Sequence, residues 1–143
     1  MIDFGRLKFR TFWNCIPSKF IYWNIDEDGI HAPIGPHFTF TDVMIKSDYF
    51  AGEQDKNGVD IYVGDIIIAR YFDEWLMAKI IDEGRKGFYP LNTEYEGDRW
   101  HAVDFDSMEI VGNIYQHDEL IGNKCRFSNE VNMRKYIEIC KTK

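Results

Sequence analysis

Residues Asp55 to Ile68, DKNGVDIYVGDIII, constrain this chain more than any other stretch of its length. Asp55-Lys56-Asn57-Gly58 is tight-turn chemistry, because an Asp side chain accepts hydrogen bonds from the backbone just ahead of it and Gly tolerates positive φ. A short extended link, Val59 to Tyr62, leads to Gly64-Asp65, which turns the chain a second time. Ile66, Ile67, Ile68 and Ala69 then follow with no polar alternation, the pattern of a strand buried on both faces. Two reversals so close to one buried strand leave room for antiparallel β structure and little else.

The flanking segments agree. Leu7 to Trp13 (LKFRTFW) alternates imperfectly between apolar and polar residues, and Phe20 to Ile25 (FIYWNI) is aromatic and β-branched. Asn14 to Lys19, with Pro17 and Ser18, connects the two segments and the acidic turn Asp26 to Gly29 follows them, so the chain is expected to open on a hairpin. HAPIGPHF predicts a loop, and FTFTDVMIK predicts a strand after it. Glu74 to Ile81 predicts the second arm of a hairpin with Ile66 to Ala69. Short strands are expected at Gly87 to Leu91, Trp100 to Phe105 and Met108 to Tyr115, with Gly112 marking a bulge or a close backbone approach. After Ser128 or Asn129, either a suitable helix cap, Met133, Tyr136, Ile137 and Cys140 fall at i, i+3, i+4 and i+7. They predict a C-terminal amphipathic helix.

The expected fold is mainly β with minor α (α+β). It comprises an N-terminal β-rich lobe over residues 1–49, an antiparallel SH3-like small β-barrel lobe over 50–121, and a short helical tail over 122–143. The barrel expectation rests on the Gly-Asp step that feeds a β-branched strand. At 143 residues the chain is about one domain long. Its 11 Phe, 8 Tyr and 4 Trp give it apolar surface enough to offset the entropy of ordering. Cys15, Cys125 and Cys140 are odd in number and widely spaced, without a CxxC pair, which suits reduced thiols in a cytoplasmic protein. Neither a signal segment nor an apolar run long enough for a bilayer is expected, so no membrane partner is.

Chemistry-bearing patterns are sparse. His31 and His37 flank a Pro/Gly loop that Asp42 could approach, but no His or Cys spacing spells a metal site, and neither metal nor cofactor is expected. His101-Ala-Val-Asp104-Phe-Asp106 alternates as a half-exposed strand does, and no nucleophile or acid–base set stands out, so the chain is expected not to be an enzyme. Phe9, Phe12, Trp13, Tyr22 and Trp23 alternate with basic or polar residues. That is the pattern of a β core and equally of a stacking platform for single-stranded nucleic acid. A net charge of −7 opposes nucleic acid. The acids Asp82, Glu83, Glu94, Glu96 and Asp98 form a candidate binding surface toward a basic protein partner, or serve solubility at the turns. A homo-oligomer is compatible with the same composition.

Three ordered segments resemble the YopX family of phage and prophage proteins. They are the opening around Phe9-Arg10-Thr11-Phe12-Trp13, the central Gly52 to Ile66 with Asp55-Lys56-Asn57-Gly58, Ile61-Tyr62 and Gly64-Asp65, and the closing Ile110-Val111-Gly112-Asn113-Ile114-Tyr115 with Glu119-Leu120. Ala51 replaces a usual Thr, Glu53-Gln54 interrupts an apolar step, and residues 125–143 lie beyond the closing motif. The resemblance implies a phage-encoded accessory protein with a mostly β fold, located in the cytoplasm of a bacterial host cell. It brings no catalytic residue with it, because its motif positions are turn and strand determinants. The expected function is therefore non-catalytic binding to a host or phage protein, such as inhibition of a host defence or replication factor. The alternative is a nucleic-acid-binding module using aromatics on a barrel face.

Overall fold

A computed structural model describes residues 5, 7–13, 18–32, 47–81, 88–90, 104–120 and 125–142. Over these residues the fold is mostly β, with two antiparallel sheets, one short α-helix and a 3-10 turn at Asp118–Leu120. The first sheet has the order β3-β2-β1-β4-β5, built from β1 (Lys8–Trp13), β2 (Lys19–Asp26), β3 (Gly29–His31), β4 (Ser47–Gln54) and β5 (Asp60–Tyr62). The second has the order β10-β7-β6-β9, from β6 (Asp65–Tyr71), β7 (Glu74–Ile80), β9 (Asp104–Asn113) and β10 (Arg126–Phe127), with β8 (Phe88–Pro90) pairing β7 beside β10. The helix α1 spans Glu130–Lys141. Among the described residues neither sheet closes on itself, so the expected SH3-like barrel is not seen there. Among the same residues no helix is long and apolar enough to cross a membrane.

The unalternating run at Ile66 to Ala69 is explained by what covers it. Ile67 and Ala69 pack with Ile61, Leu76, Ala78, Ile80 and Met108 on one face. Ile66 and Ile68 pack on the other with Met77, Leu120, Phe127, Met133, Ile137 and Cys140. The first face is closed by β5 and the second by α1, so β6 meets apolar groups on both sides. At about 25 cal/mol per Å² of apolar area removed from water, this sandwich is the main source of stability. The helix is set by its sequence: Asn129 accepts a hydrogen bond from the Asn132 amide at 2.9 Å as the N-cap, and Met133, Ile137 and Cys140 form its buried stripe. Cys125 is buried as well, and Cys15 lies outside the described residues.

The expected opening hairpin forms as β1 paired with β2, Lys8 opposite Asn24 and Trp13 opposite Lys19, and the acidic turn that follows β2 is built as its residues dictate. Asp26 Oδ1 accepts from the Asp28 amide at 2.8 Å, and Gly29 takes φ 119°, a value that side-chain-bearing residues avoid. Beyond it the chain continues as β3 where only a loop was expected, because three residues pair back onto β2 through Ile25 and Ile30. The strand expected at FTFTDVMIK lies outside the described residues, as do most of Trp100 to Phe105 and both His37 and His101. What remains of the last two predicted strands is one strand, β9, running without a break from Asp104.

Gly112 sits at a bulge: Ile66 pairs with Gly112 and Ile67 with Ile110, which leaves Val111 extra. A Cβ at Gly112 would stand 2.9 Å from Nδ1 of His117, so the position is also a close approach. The same Nδ1 accepts a hydrogen bond from the Asn113 amide at 3.1 Å. Burial pushes the His117 imidazole below its ordinary value near 6.5, Lys141 adds to the shift and Glu119 opposes it. The neutral ring is thus favoured by folding. The stability it contributes is complete above the unfolded value and is lost as pH falls through the lowered one. Urea midpoints should therefore drop between about pH 7.5 and about pH 5.5, more steeply in the wild type than in His117→Gln. Equal slopes would remove His117 from the pH response.

Candidate aromatic cleft and its arginine hub

Alternation along β1 and β2 sorts their side chains between two faces. Phe9 lies against Trp23 with ring centroids 4.2 Å apart, and with Trp13, Ile21, Ile25 and Ala32 they form a small apolar cluster on one face. Lys8, Arg10 and Phe12 point the other way. The β1–β2 register sets Lys8 against Asn24, Arg10 against Tyr22 and Phe12 against Phe20. This second face turns toward the start of β6.

Arg10 is the hub of that junction, with only 3% of its surface exposed. Its Nη1 donates to Asp65 Oδ1 at 2.6 Å, and its Nη2 donates to the Val63 carbonyl at 3.2 Å. The guanidinium carbon lies 4.4 Å from the Phe20 ring centroid and 5.2 Å from that of Tyr62. Asp65 also accepts from the Tyr62 amide at 2.8 Å, which ties β5 to β6 across the Val63-Gly64 turn. Burial raises the Asp65 carboxyl above the usual carboxylate range, while Arg10 and the Tyr62 amide draw it down. Asp48 stands beside this pair and accepts a hydrogen bond from the Tyr115 hydroxyl. Burial raises Asp48 as well, against the pull of Tyr115 and Arg10. Gly64, at φ 93°, keeps the turn tight: a Cβ there would stand 3.2 Å from Asp48 Oδ2. Tyr115 stacks on Phe12 at 5.0 Å and completes an aromatic wall with Phe20.

Outward from the hub lies a cleft of about 360 Å³ lined by Gly5, Lys8, Tyr22, Trp23, Asn24, Asp60 and Tyr62. Lys8 Nζ pairs with Asp60 Oδ2 at 3.0 Å and sits over the Phe50 ring, 4.9 Å from its centroid. Gln54 Nε2 donates to the second oxygen of Asp60 at 3.1 Å. Burial works against ionisation of Asp60, but the bonds from Gln54 and Lys8 outweigh it and hold the carboxyl below its usual range. The Tyr62 hydroxyl is pushed up to about 12, first by burial and then by Asp60, so it stays protonated at neutral pH. Tyr62 meets Tyr22 edge-on at 5.6 Å, and Tyr22 remains 58% exposed. The cleft thus offers a fixed ion pair, a side-chain amide and two tyrosine rings. It can hold an apolar group and hydrogen-bond the polar atoms around it.

Most of the family-motif residues fall into two groups. Arg10, Tyr62, Gly64, Asp65, Ile114 and Tyr115 meet at the hub, where the Ile114 amide donates to the Gly64 carbonyl at 2.9 Å. Asp55 to Gly58 form the tight turn, which docks on β9: the Lys56 amide donates to the Met108 carbonyl at 2.8 Å and Lys56 Nζ pairs with Glu109 at 2.9 Å. Gly58 takes φ 78° and Asn57 donates its amide to Asp55 Oδ1 at 2.9 Å. Ile61 is fully buried beneath β6. Asn113 Oδ1 accepts from the Tyr115 and Gln116 amides at 3.1 and 2.9 Å and so shapes the turn after β9. Phe9 lies on the face away from the hub, against Trp23.

The candidate acidic surface, Asp82, Glu83, Glu94, Glu96 and Asp98, lies outside the described residues. Among the described residues no group of three or more His, Cys, Asp or Glu is placed to hold a metal ion. His31 is exposed and pairs with Asp26 at 2.7 Å. Asp48, Asp60 and Asn24 were missed from sequence. The alternation of β1 and β2 could have grouped Lys8, Tyr22 and Asn24, but no local signal joins Asp48 or Asp60 to them.

A comparison with curated proteins finds no match. A family model described as YopX protein matches residues 16–122, most of the chain, including the central and closing motifs. The chain belongs to the YopX protein family.

Proposed function

We propose that the chain acts by non-catalytic binding of a protein, as an accessory protein of a phage or prophage working in the cytoplasm of a bacterial host cell, with the cleft on the first sheet as its contact face. The observation that carries this reading is the exposed Tyr22 at the mouth of a cleft whose other walls are already fixed. Lys8 and Asp60 hold each other, and Tyr62 is anchored through Asp65 and Arg10. Walls that need no reordering lower the entropic cost of binding. A peptide segment suits the chemistry, since Asn24 and the Lys8–Asp60 pair can meet backbone amides while the rings take an apolar side chain. A host defence or replication factor, inhibited by occlusion, fits this mode of action. Net charge −7, to which Asp82, Glu83, Glu94, Glu96 and Asp98 contribute, would steer a basic partner toward the chain.

The same Lys8 beside an exposed Tyr22 is what a base-stacking site would use, and this favours nucleic acid as the second reading. Capture from host lysate with and without nuclease separates the two. A protein retained after nuclease and released by Tyr22→Ala, with a loss of about 1–3 kcal/mol in affinity and an unchanged unfolding midpoint, is the expected result. Capture that nuclease abolishes would move the assignment to nucleic acid. Capture indifferent to Tyr22 would discard the cleft.

A further inference from the structure

Phe72 carries two penalties in one residue. Tyr71 pairs with Glu74, so Phe72 and Asp73 are the whole loop between β6 and β7. The first position of such a loop commonly has positive φ and is commonly Gly. Here a phenylalanine takes φ 52°, alone among the described non-glycine residues, and its ring stays 68% exposed. An edge contact with Tyr71 at 4.7 Å does not bury it. Arg70 Nε donates to the Phe72 carbonyl at 3.2 Å and holds the loop in place. Neither turn chemistry nor burial explains an aromatic at this point, and strain kept at a specific residue points to a task.

The adjoining strand presents a second ring at the same end of the sheet. Arg70 pairs with Asp104 and Ile68 with Glu109, so residues 105–108 of β9 stand opposite Ala69 alone. This bulge is organised by Ser107, whose Oγ accepts from the Arg70 amide at 2.8 Å, and by the Asp106 amide, which donates to Asp104 Oδ1 at 3.0 Å. It turns out Phe105, which is 45% exposed. Bulges re-aim side chains in this way. Asp73 adjoins Phe72 in sequence and Asp104 and Asp106 flank Phe105, and all three are exposed.

We propose that Phe72 and Phe105, together with Asp73, Asp104 and Asp106, dock a basic protein segment that carries a large apolar side chain. The aspartates supply the complementary charge, and they repel both a second copy of this acidic chain and nucleic acid. This surface is on the second sheet and does not depend on the cleft of the first.

The test is selection of a random dodecapeptide library on the immobilised full chain, followed by binding of one recovered peptide to purified variants. Recovered peptides should combine Lys or Arg with Phe, Trp, Leu or Ile. The chosen peptide should bind about tenfold or more weakly to Phe72→Gly, weaken as salt rises, and be indifferent to Tyr22→Ala. Phe72→Gly should hold or raise the unfolding midpoint, since Gly fits the loop. A lowered midpoint would make the ring a packing residue and overturn the proposal. So would recovery of no peptides, or of peptides without basic residues. A peptide that Tyr22→Ala releases and Phe72→Gly does not would belong to the cleft, against this assignment.

Discussion

Arg10→Ala is expected to lower the stability of the fold by about 3–5 kcal/mol, a large share of the roughly 5–15 kcal/mol that holds a domain of this size together. The figure follows from what the truncation leaves behind. Asp65 would keep its bond to the Tyr62 amide but lose the guanidinium that neutralises it, in a place where both side chains are almost wholly buried. The Val63 carbonyl would lose its Arg10 donor, and the Phe20 and Tyr62 rings would lose the group they flank. Removing both charges is a different matter. The pair Arg10→Met with Asp65→Asn should recover a substantial part of the loss, because a buried ion pair stabilises less than breaking it costs. Urea unfolding of the two single variants and the double variant gives the coupling directly. A single-variant loss under about 1 kcal/mol would show that the junction of the sheets is held by something else.

That junction also marks where sequence reasoning stops. The DKNG turn, the Gly64-Asp65 reversal and the buried run of β6 were legible because each rests on neighbours in sequence: an Asp side chain bonding ahead, a Gly at positive φ, a β-branched run. The helix was legible for the same reason, through its cap and its 3.6-residue period. The bulge at Gly112 was legible from a Gly inside a strand pattern. None of these signals reaches from Arg10 to Asp65, which are 55 positions apart. Arg10 looked like one of several basic residues alternating with aromatics, and its near-complete burial depends on β4 and β5 joining the first sheet beside β1. β3 escaped notice because three residues starting at a Gly carry little strand signal of their own. The continuity of β9 was hidden by the residues around Ser107, which look like a break in periodicity and are a bulge.

Asp55→Ala is expected to cost about 2–3 kcal/mol, less than the loss from Arg10→Ala but still a large fraction of the stability of a domain. Its carboxylate does more than close the turn. Oδ1 accepts from the Asn57 and Val59 amides at 2.9 and 3.0 Å, and Oδ2 reaches across to the Ile110 amide of β9 at 3.1 Å. Alanine leaves three donors unmet. Water can reach those of the exposed Asn57 and Val59, but Ile110 is less accessible, so most of the loss should come from the contact with β9. Asp55→Asn separates the contributions, since an amide keeps one acceptor oxygen and sets an N–H against the other donor. If the bond to β9 matters as argued, Asn should recover less than half of the loss caused by Ala, and hydrogen exchange at the Ile110 amide should quicken in both variants. Full recovery by Asn, with the Ile110 amide still protected, would confine Asp55 to its own turn and leave the docking of that turn to the Lys56 amide and the Lys56–Glu109 pair.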